Sequence, residues 1–298
     1  MRIVTRADFD GVVCAVLLCD AKEIDEPVEW VEPNEMQKGK VAVKKGDIVA
    51  NLPYHPDCSL WFDHHYTNRN VGDFEGAFRI APSAAGLIFE YYRGSFNRDY
   101  TELVRQADKI DAADLTQEEV RHPENHSYIL LSMTISSHQK SDEPYWNRLI
   151  DLFRTEDIDG VMADPEVRER CGEVVRRNRE YQTHLERYTR MEGVVAVTDF
   201  RSFEEAPSGN RFLVYSLFPD AVVHLRIRYS SEESDKVIVN VGHSIFNRNC
   251  NVNVGLLLSR YGGGGHAGAG SCTLDRDEAE PAIDDLVETL RKNDPITS

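Results

Sequence analysis

Short apolar runs alternate with helical stretches through the first 110 residues, and this alternation constrains the fold more than any other feature. Residues 1–5 read as a strand, followed by an apolar helix over 11–22. Further strands are expected at 28–31, 47–52 and 59–62, with helical patterns at 83–92 and 99–110. Strands separated by helices lead to a mostly parallel sheet covered on both faces. From about 127 to 190 the pattern is mainly helical. Asp164-Pro165 makes a helix start, a capping residue followed by proline in the first turn. Val167, Cys171, Val174, Tyr181, Leu185 and Tyr188 then recur near helical spacing, with charges on the other face. This helix is expected to stop around Gly193 and to connect two domains; an internal helix of one large domain is the alternative. Beyond it, strands are expected at 194–197, 212–217, 222–229, 236–241 and 271–274, with helices at 252–261 and near 278–291. The expected class is α/β: a parallel-sheet domain over 1–163, a connecting helix over 164–192, and a smaller mixed α/β domain over 193–298.

Composition narrows the function. The 298 residues can bury a core in each of two domains. The longest apolar run of note, residues 12–19, is far too short to cross a bilayer, so no membrane partner is expected. Arg6, Asp8 and Asp10 interrupt the N-terminus before any apolar stretch; no signal peptide and a cytoplasmic location are expected. The six cysteines have no CxxC spacing, so neither a zinc knuckle nor a disulfide scaffold is indicated, and reduced thiols are the expectation. A net charge of −17 argues against a protein that coats long nucleic acid. It leaves room for a small anion in a local cationic pocket. The apolar helical middle could form a homodimer face, though nothing in the sequence fixes that.

Four clusters could carry chemistry. Arg6-Ala7-Asp8-Phe9-Asp10-Gly11 directly follows the first strand. Two carboxylates on a strand-to-helix turn can point into the crevice where open α/β sheets bind ligands, and Gly11 allows a tight turn. Helix capping by Asp8 and Asp10 explains them equally well. Asp63-His64-His65 follows the strand at 59–62. A carboxylate beside two imidazoles suits a divalent metal and a phosphate-facing imidazole, and a hydrogen-bonded turn is the plainer alternative. Asp108, near the end of a helical segment, is a third candidate; Asp111 and Asp114 lie close by, and the choice among them is soft. Their plainer reading is a solvated acidic helix end. The fourth cluster is Tyr261-Gly262-Gly263-Gly264-Gly265-His266-Ala267-Gly268-Ala269-Gly270. Six glycines in ten positions leave backbone N–H groups free to cradle an anion, with His266 as an added donor.

Taken in this order, Asp8-x-Asp10-Gly11, Asp63-His64-His65 and the glycine run ending in Ala269-Gly270 resemble the DHH phosphoesterase family. The last motif is similar to the DHH-associated subfamily 1 domain. That family includes nanoRNases, 3′-phosphoadenosine 5′-phosphate phosphatases, cyclic-dinucleotide phosphodiesterases and single-strand exonucleases; some chains of this arrangement are labelled exopolyphosphatase-like. The resemblance implies two α/β domains with the active site in the cleft between them. It also implies two Mn²⁺ or Mg²⁺ ions that bridge a water attacking phosphorus in line. Carried over, Asp8 serves the first ion, and Asp10, His64 and Asp108 the second. His65 contacts the scissile phosphate, and Asp63 orients the neighbouring histidine. His266 with Gly263, Gly264 and Gly265 holds a substrate phosphate or terminal group, and Arg248 stands where the family often has a substrate-binding arginine; a surface arginine is the alternative for it.

Two departures from the family pattern matter. The usual histidine of the first motif, two or four positions before the first Asp, is replaced by Arg6 or Val4. The usual bridging carboxylate after the strand at 47–50 is replaced by Asn51. Two dications with four aspartates make a neutral site, and so do one dication and Arg6 with Asp8, Asp10 and Asp108. One ion is therefore expected, with Arg6 as a fixed cation that binds a phosphoryl oxygen or braces Asp8. Asn51 becomes a weak oxygen ligand or a hydrogen-bond donor. The expected function is metal-dependent hydrolysis of phosphate ester bonds in a small nucleotide: a short oligonucleotide, a cyclic dinucleotide or 3′-phosphoadenosine 5′-phosphate. Hydrolysis of short polyphosphate, or non-catalytic nucleotide sensing by a degenerate site, are the alternatives. Arg69 could add positive charge, and Tyr54, Tyr66 and Phe246 could stack a base or simply pack.

Overall fold

Strand β1 (Arg2–Thr5) feeds helix α1 (Phe9–Ala21) in the computed structural model, which describes residues 1–69, 72–136, 140–233 and 235–296. The chain continues through β2 (Glu29–Trp30), α2 (Pro33–Gln37), β3 (Asp47–Ala50), β4 (Leu60–Asp63), β5 (Gly76–Phe78), α3 (Ala84–Tyr91) and α4 (Thr101–Asp111). Every residue of β3 and β4 is buried. Continuous burial, without alternation, is what a parallel sheet covered on both faces requires. The five strands are all parallel, in the order β2-β1-β3-β4-β5. α1 is buried from Phe9 through Leu18 and contacts β1, α3, α4 and α7 (Glu143–Thr155). After β1 the chain moves to one side of it for β2 and then to the other for β3. A ligand crevice opens at such a reversal, beyond the carboxyl ends of the strands.

Helices α5 (Gln117–Arg121), α6 (Ser127–Ser132), α7, α8 (Ile158–Ala163) and α9 (Pro165–Tyr188) follow. Asp164 starts α9: its Oδ1 accepts the N–H groups of Glu166 and Val167 at 3.0 and 3.2 Å. The helix ends at Tyr188, short of Gly193. Residues Thr189–Glu192 form β6, which pairs antiparallel with β7 (Val195–Asp199). Gly193 turns that hairpin at φ +63°.

The rest is α10 (Leu213–Leu217), β8 (Val223–Tyr229), β9 (Lys236–His243), α11 (Val254–Ser259), β10 (Gly264–His266), β11 (Ala269–Asp275) and α12 (Ala279–Lys292). The second sheet runs β10-β11-β9-β8-β7-β6, with only β7 and β8 parallel. The strand expected at 212–217 is the helix α10. A parallel pair needs a crossover connection, and α10 lies in the one between β7 and β8. Asn210 accepts the Phe212 N–H at 3.0 Å through its side chain and the Leu213 N–H at 3.0 Å through its carbonyl, which starts the turn. Val197, Leu225, Val239, Leu257 and Leu286 anchor the core of this sheet.

Two compact units result: Met1–Leu115 with Pro123–Val174, and Thr116–His122 with the chain from Val175 onward. The boundary falls between Val174 and Val175, inside α9, so each unit includes one half of this helix. Val167 and Cys171 are buried in its first half; Tyr181 and Tyr188 pack against Phe200 in its second. Among the described residues no helix is long and apolar enough to cross a membrane.

Candidate active site

The carboxyl ends of β1, β3 and β4 each deliver a polar group. After β1, Asp8 caps α1, its Oδ1 accepting the Gly11 N–H at 2.8 Å. The same oxygen accepts from Asn51 Nδ2 at 2.9 Å. Asp8 Oδ2 lies 3.3 Å from Arg6 Nη1, and Arg6 Nε lies 3.8 Å from Glu32 Oε2. Asn51 follows β3 with φ 55°, a left-handed turn that asparagine tolerates, and its Oδ1 is buried without a partner. Gly11 is needed because a Cβ there would sit 1.9 Å from the Arg6 carbonyl oxygen. Asp8 keeps 29% of its side chain in contact with solvent, yet its surroundings push its carboxyl up to about 6. Desolvation is the main cause, opposed by Arg6.

Asp10 is fully buried in the first turn of α1. Its Oδ2 and Oδ1 accept the N–H groups of Ala84 and Ala85 at 3.0 and 2.9 Å. These amides open α3, where Ser83 caps the helix by accepting the Gly86 N–H. The helix end favours the anion. Even so, burial and the charges of Asp111 and Asp8 raise the Asp10 carboxyl well above its ordinary range.

His64 follows β4 and is 9% exposed. Its Nδ1 donates to the Ala81 carbonyl at 2.9 Å. A carbonyl can only accept, so the proton sits on Nδ1, and in the neutral ring Nε2 carries the lone pair. That Nε2 makes no hydrogen bond and lies 3.3 Å from Asp111 Oδ2 and 3.8 Å from Asp10 Oδ2. A buried lone pair among carboxylate oxygens calls for a cation. The donor atoms of Asp10, His64 and Asp111 lie within 4.8 Å of one another, and an imidazole with two carboxylates suits Mn²⁺ or a similar ion. These residues therefore fit a divalent metal.

Asp108 is not in this group. It lies one turn before Asp111 on α4, and its Oδ1 accepts the Ser83 hydroxyl at 2.6 Å. The second carboxylate beside His64 is Asp111, the residue that ends α4. Asp114 is exposed. Asp63 is buried with both oxygens in use: Oδ1 accepts from His65 Nδ1 at 2.7 Å and Oδ2 from Asn68 Nδ2 at 2.7 Å. The bond to Asp63 raises the His65 pKa, with burial opposing. Tyr66 is 55% exposed, and the Arg69 guanidinium lies 3.9 Å from its ring centre. Tyr54 packs edge-on against Trp61 at 5.3 Å. Sequence reading missed the Ser83-Ala84-Ala85 turn, although a serine before an apolar helix is a visible capping signal.

In the second unit the glycine run is not an open cradle. Gly264–His266 is strand β10, paired Gly264↔Ser271, Gly265↔Gly270 and His266↔Ala269. The Gly263 N–H is taken by the Leu258 carbonyl at 3.0 Å. A Cβ at Gly263 would lie 2.4 Å from the Ser271 oxygen, and one at Gly265 2.3 Å from the Ala269 oxygen. These glycines allow close packing of β10 on β11. Gly264 has open space beside it, and all three residues of β10 are exposed on an edge strand. Arg248 is exposed, its Nε donating to the Ile245 carbonyl at 3.0 Å. Phe246 is half-buried.

No family model and no curated protein matches the chain. Among solved structures it is similar to the pGpG-specific phosphodiesterase PggH of Vibrio cholerae. The two are 31% identical with a TM-score of 0.87, over 98% of this chain and 99% of that one. It is also similar in fold to RecJ of Thermus thermophilus in complex with Mn²⁺. There the TM-score is 0.58 and the identity 14%, over 99% of this chain and 52% of RecJ, so the chain spans about half of that protein.

Proposed function

The chain belongs to the DHH phosphoesterase family, and we propose that it hydrolyses a phosphodiester bond of a short linear nucleotide with a divalent cation seated among Asp10, His64 and Asp111. One observation carries this reading: the buried, unpartnered Nε2 of His64 between two carboxylates. When bound, a divalent cation supplies Lewis-acid polarisation of a phosphoryl oxygen and a more acidic water. The two amides of α3 hold Asp10 in one orientation. Asp63 fixes the His65 proton on Nδ1, which leaves Nε2 as the atom to meet a substrate oxygen. Asp63 also favours the doubly protonated ring, a donor to a phosphoryl oxygen. Tyr66 is the residue assigned to base stacking.

A linear dinucleotide is the substrate class supported by the 31% identity to an enzyme named for pGpG. The net charge of −17 disfavours long nucleic acid and long polyphosphate. The test is a panel of a linear dinucleotide, a cyclic dinucleotide, 3′-phosphoadenosine 5′-phosphate and tripolyphosphate, assayed with Mn²⁺. Mononucleotides from the linear dinucleotide are expected, lost in His64→Ala. Hydrolysis of tripolyphosphate alone, or tight nucleotide binding without turnover, would overturn the reading.

A further inference from the structure

Among the described residues, the hydrogen-bond and ion-pair partners of the Asp8 carboxylate are all donors. Its Oδ1 receives two N–H groups, from Gly11 at 2.8 Å and Asn51 at 2.9 Å. Its Oδ2 faces the Arg6 guanidinium at 3.3 Å. An ion approaching Oδ1 meets protons pointing at it, and one approaching Oδ2 meets a fixed positive charge. Asp8 thus has its counter-cation within the protein. By contrast, one oxygen of Asp10 and one of Asp111 lie 3.8 and 3.3 Å from the His64 Nε2, which makes no hydrogen bond.

Arg6 itself is under-used. It lies near Asp8 and Glu32, yet none of its N–H groups makes a hydrogen bond among the described residues, and its Nε is buried without a partner. A buried N–H without an acceptor is rare and costly. The side chain is 37% exposed, so part of the guanidinium is open to solvent. Planar donors beside a metal-ligand group suit a phosphoryl oxygen.

Resting on the reading above, we propose that this site holds a single divalent ion, at Asp10, His64 and Asp111, and that Arg6 is its second cation. Asp8, itself held by Asn51, braces Arg6, and the free N–H groups of Arg6 bind a non-bridging oxygen of the substrate phosphate.

The test counts ions. Wild-type protein equilibrated with excess MnCl₂ and desalted is expected to carry one Mn per chain by elemental analysis. Arg6→Ala combined with Asn51→Asp leaves two carboxylates facing each other without a cation, and is expected to carry two. Arg6→Lys keeps the charge without the planar fork. It is expected to stay at one ion and to bind inorganic phosphate at least tenfold more weakly in calorimetry. Two ions in the wild type would overturn the single-ion proposal and leave the metal-hydrolase reading standing. No ion in the wild type would defeat that reading, and this proposal with it. A double variant that folds and still holds one ion, or Arg6→Lys with unchanged phosphate affinity, would remove Arg6 from the role.

Discussion

Asp108 and Asp111 lie three residues apart on α4, close enough to share a helix face, yet their side chains meet different partners. Asp108 is tied to Ser83, and Asp111 meets His64. Removing a ligand charge should cost more than removing a supporting hydrogen bond. Asp111→Asn is therefore expected to weaken Mn²⁺ binding by more than about tenfold, and Asp108→Asn by less, in isothermal titration. A larger loss at Asp108 would return the ligand role to that residue. The sequence placed Asp108, Asp111 and Asp114 close together, and only the fold shows that Asp111 is the one beside His64.

Elements meet at contacts where backbone leaves no room. The β1–α1 turn passes so close to itself that Gly11→Ala drives a Cβ into the Arg6 carbonyl. That change is expected to destabilise by about 2 kcal/mol or more in urea unfolding. Gly172 lies within α9 with nothing near its Cβ position. Gly172→Ala should stabilise by about 0.5–1 kcal/mol, since alanine loses less backbone freedom in a helix. β7 and β8 carry a different liability. His224 is buried on β8 with its Nε2 2.8 Å from the Thr198 hydroxyl, and burial lowers its pKa to about 3. Between that value and its ordinary 6.5 the unfolded chain binds the extra proton and the folded chain does not. Stability is thus fully present above pH 6.5 and falls as pH drops, by up to about 1.4 kcal/mol per pH unit. At pH 5 the loss is about 2 kcal/mol. His224→Gln should flatten this part of the pH dependence, read from urea midpoints at pH 7 and pH 5; an unchanged slope would refute it.

At the scale of the whole molecule, a charge of −17 sets how polyanions approach. The Debye length falls from about 30 Å at 0.01 M salt to about 10 Å at 0.1 M. A linear dinucleotide small enough to meet only local cations should bind more weakly as salt rises. A twenty-nucleotide strand, which also meets the acidic surface, should bind poorly at low salt and gain as salt screens the repulsion. Calorimetry at the two salt levels separates these cases, and tight low-salt binding of the long strand would refute the charge argument.

The strand–helix alternation determined the parallel first sheet by itself, because buried strands and their covering helices write distinct local patterns. The positions of Asp8, Asp10, Asp63, His64 and His65 at or just beyond the carboxyl ends of strands were legible for the same reason. Tertiary structure decided the rest. The glycine run became an edge strand because β11 was there to pair with it, and residues 212–217 became a helix because β7 and β8 run parallel. Asp111 met His64, Asn51 turned its amide toward Asp8, and α9 gave one half to each unit. Each of these outcomes depends on which backbone arrives from far along the chain, and local propensity holds no record of that.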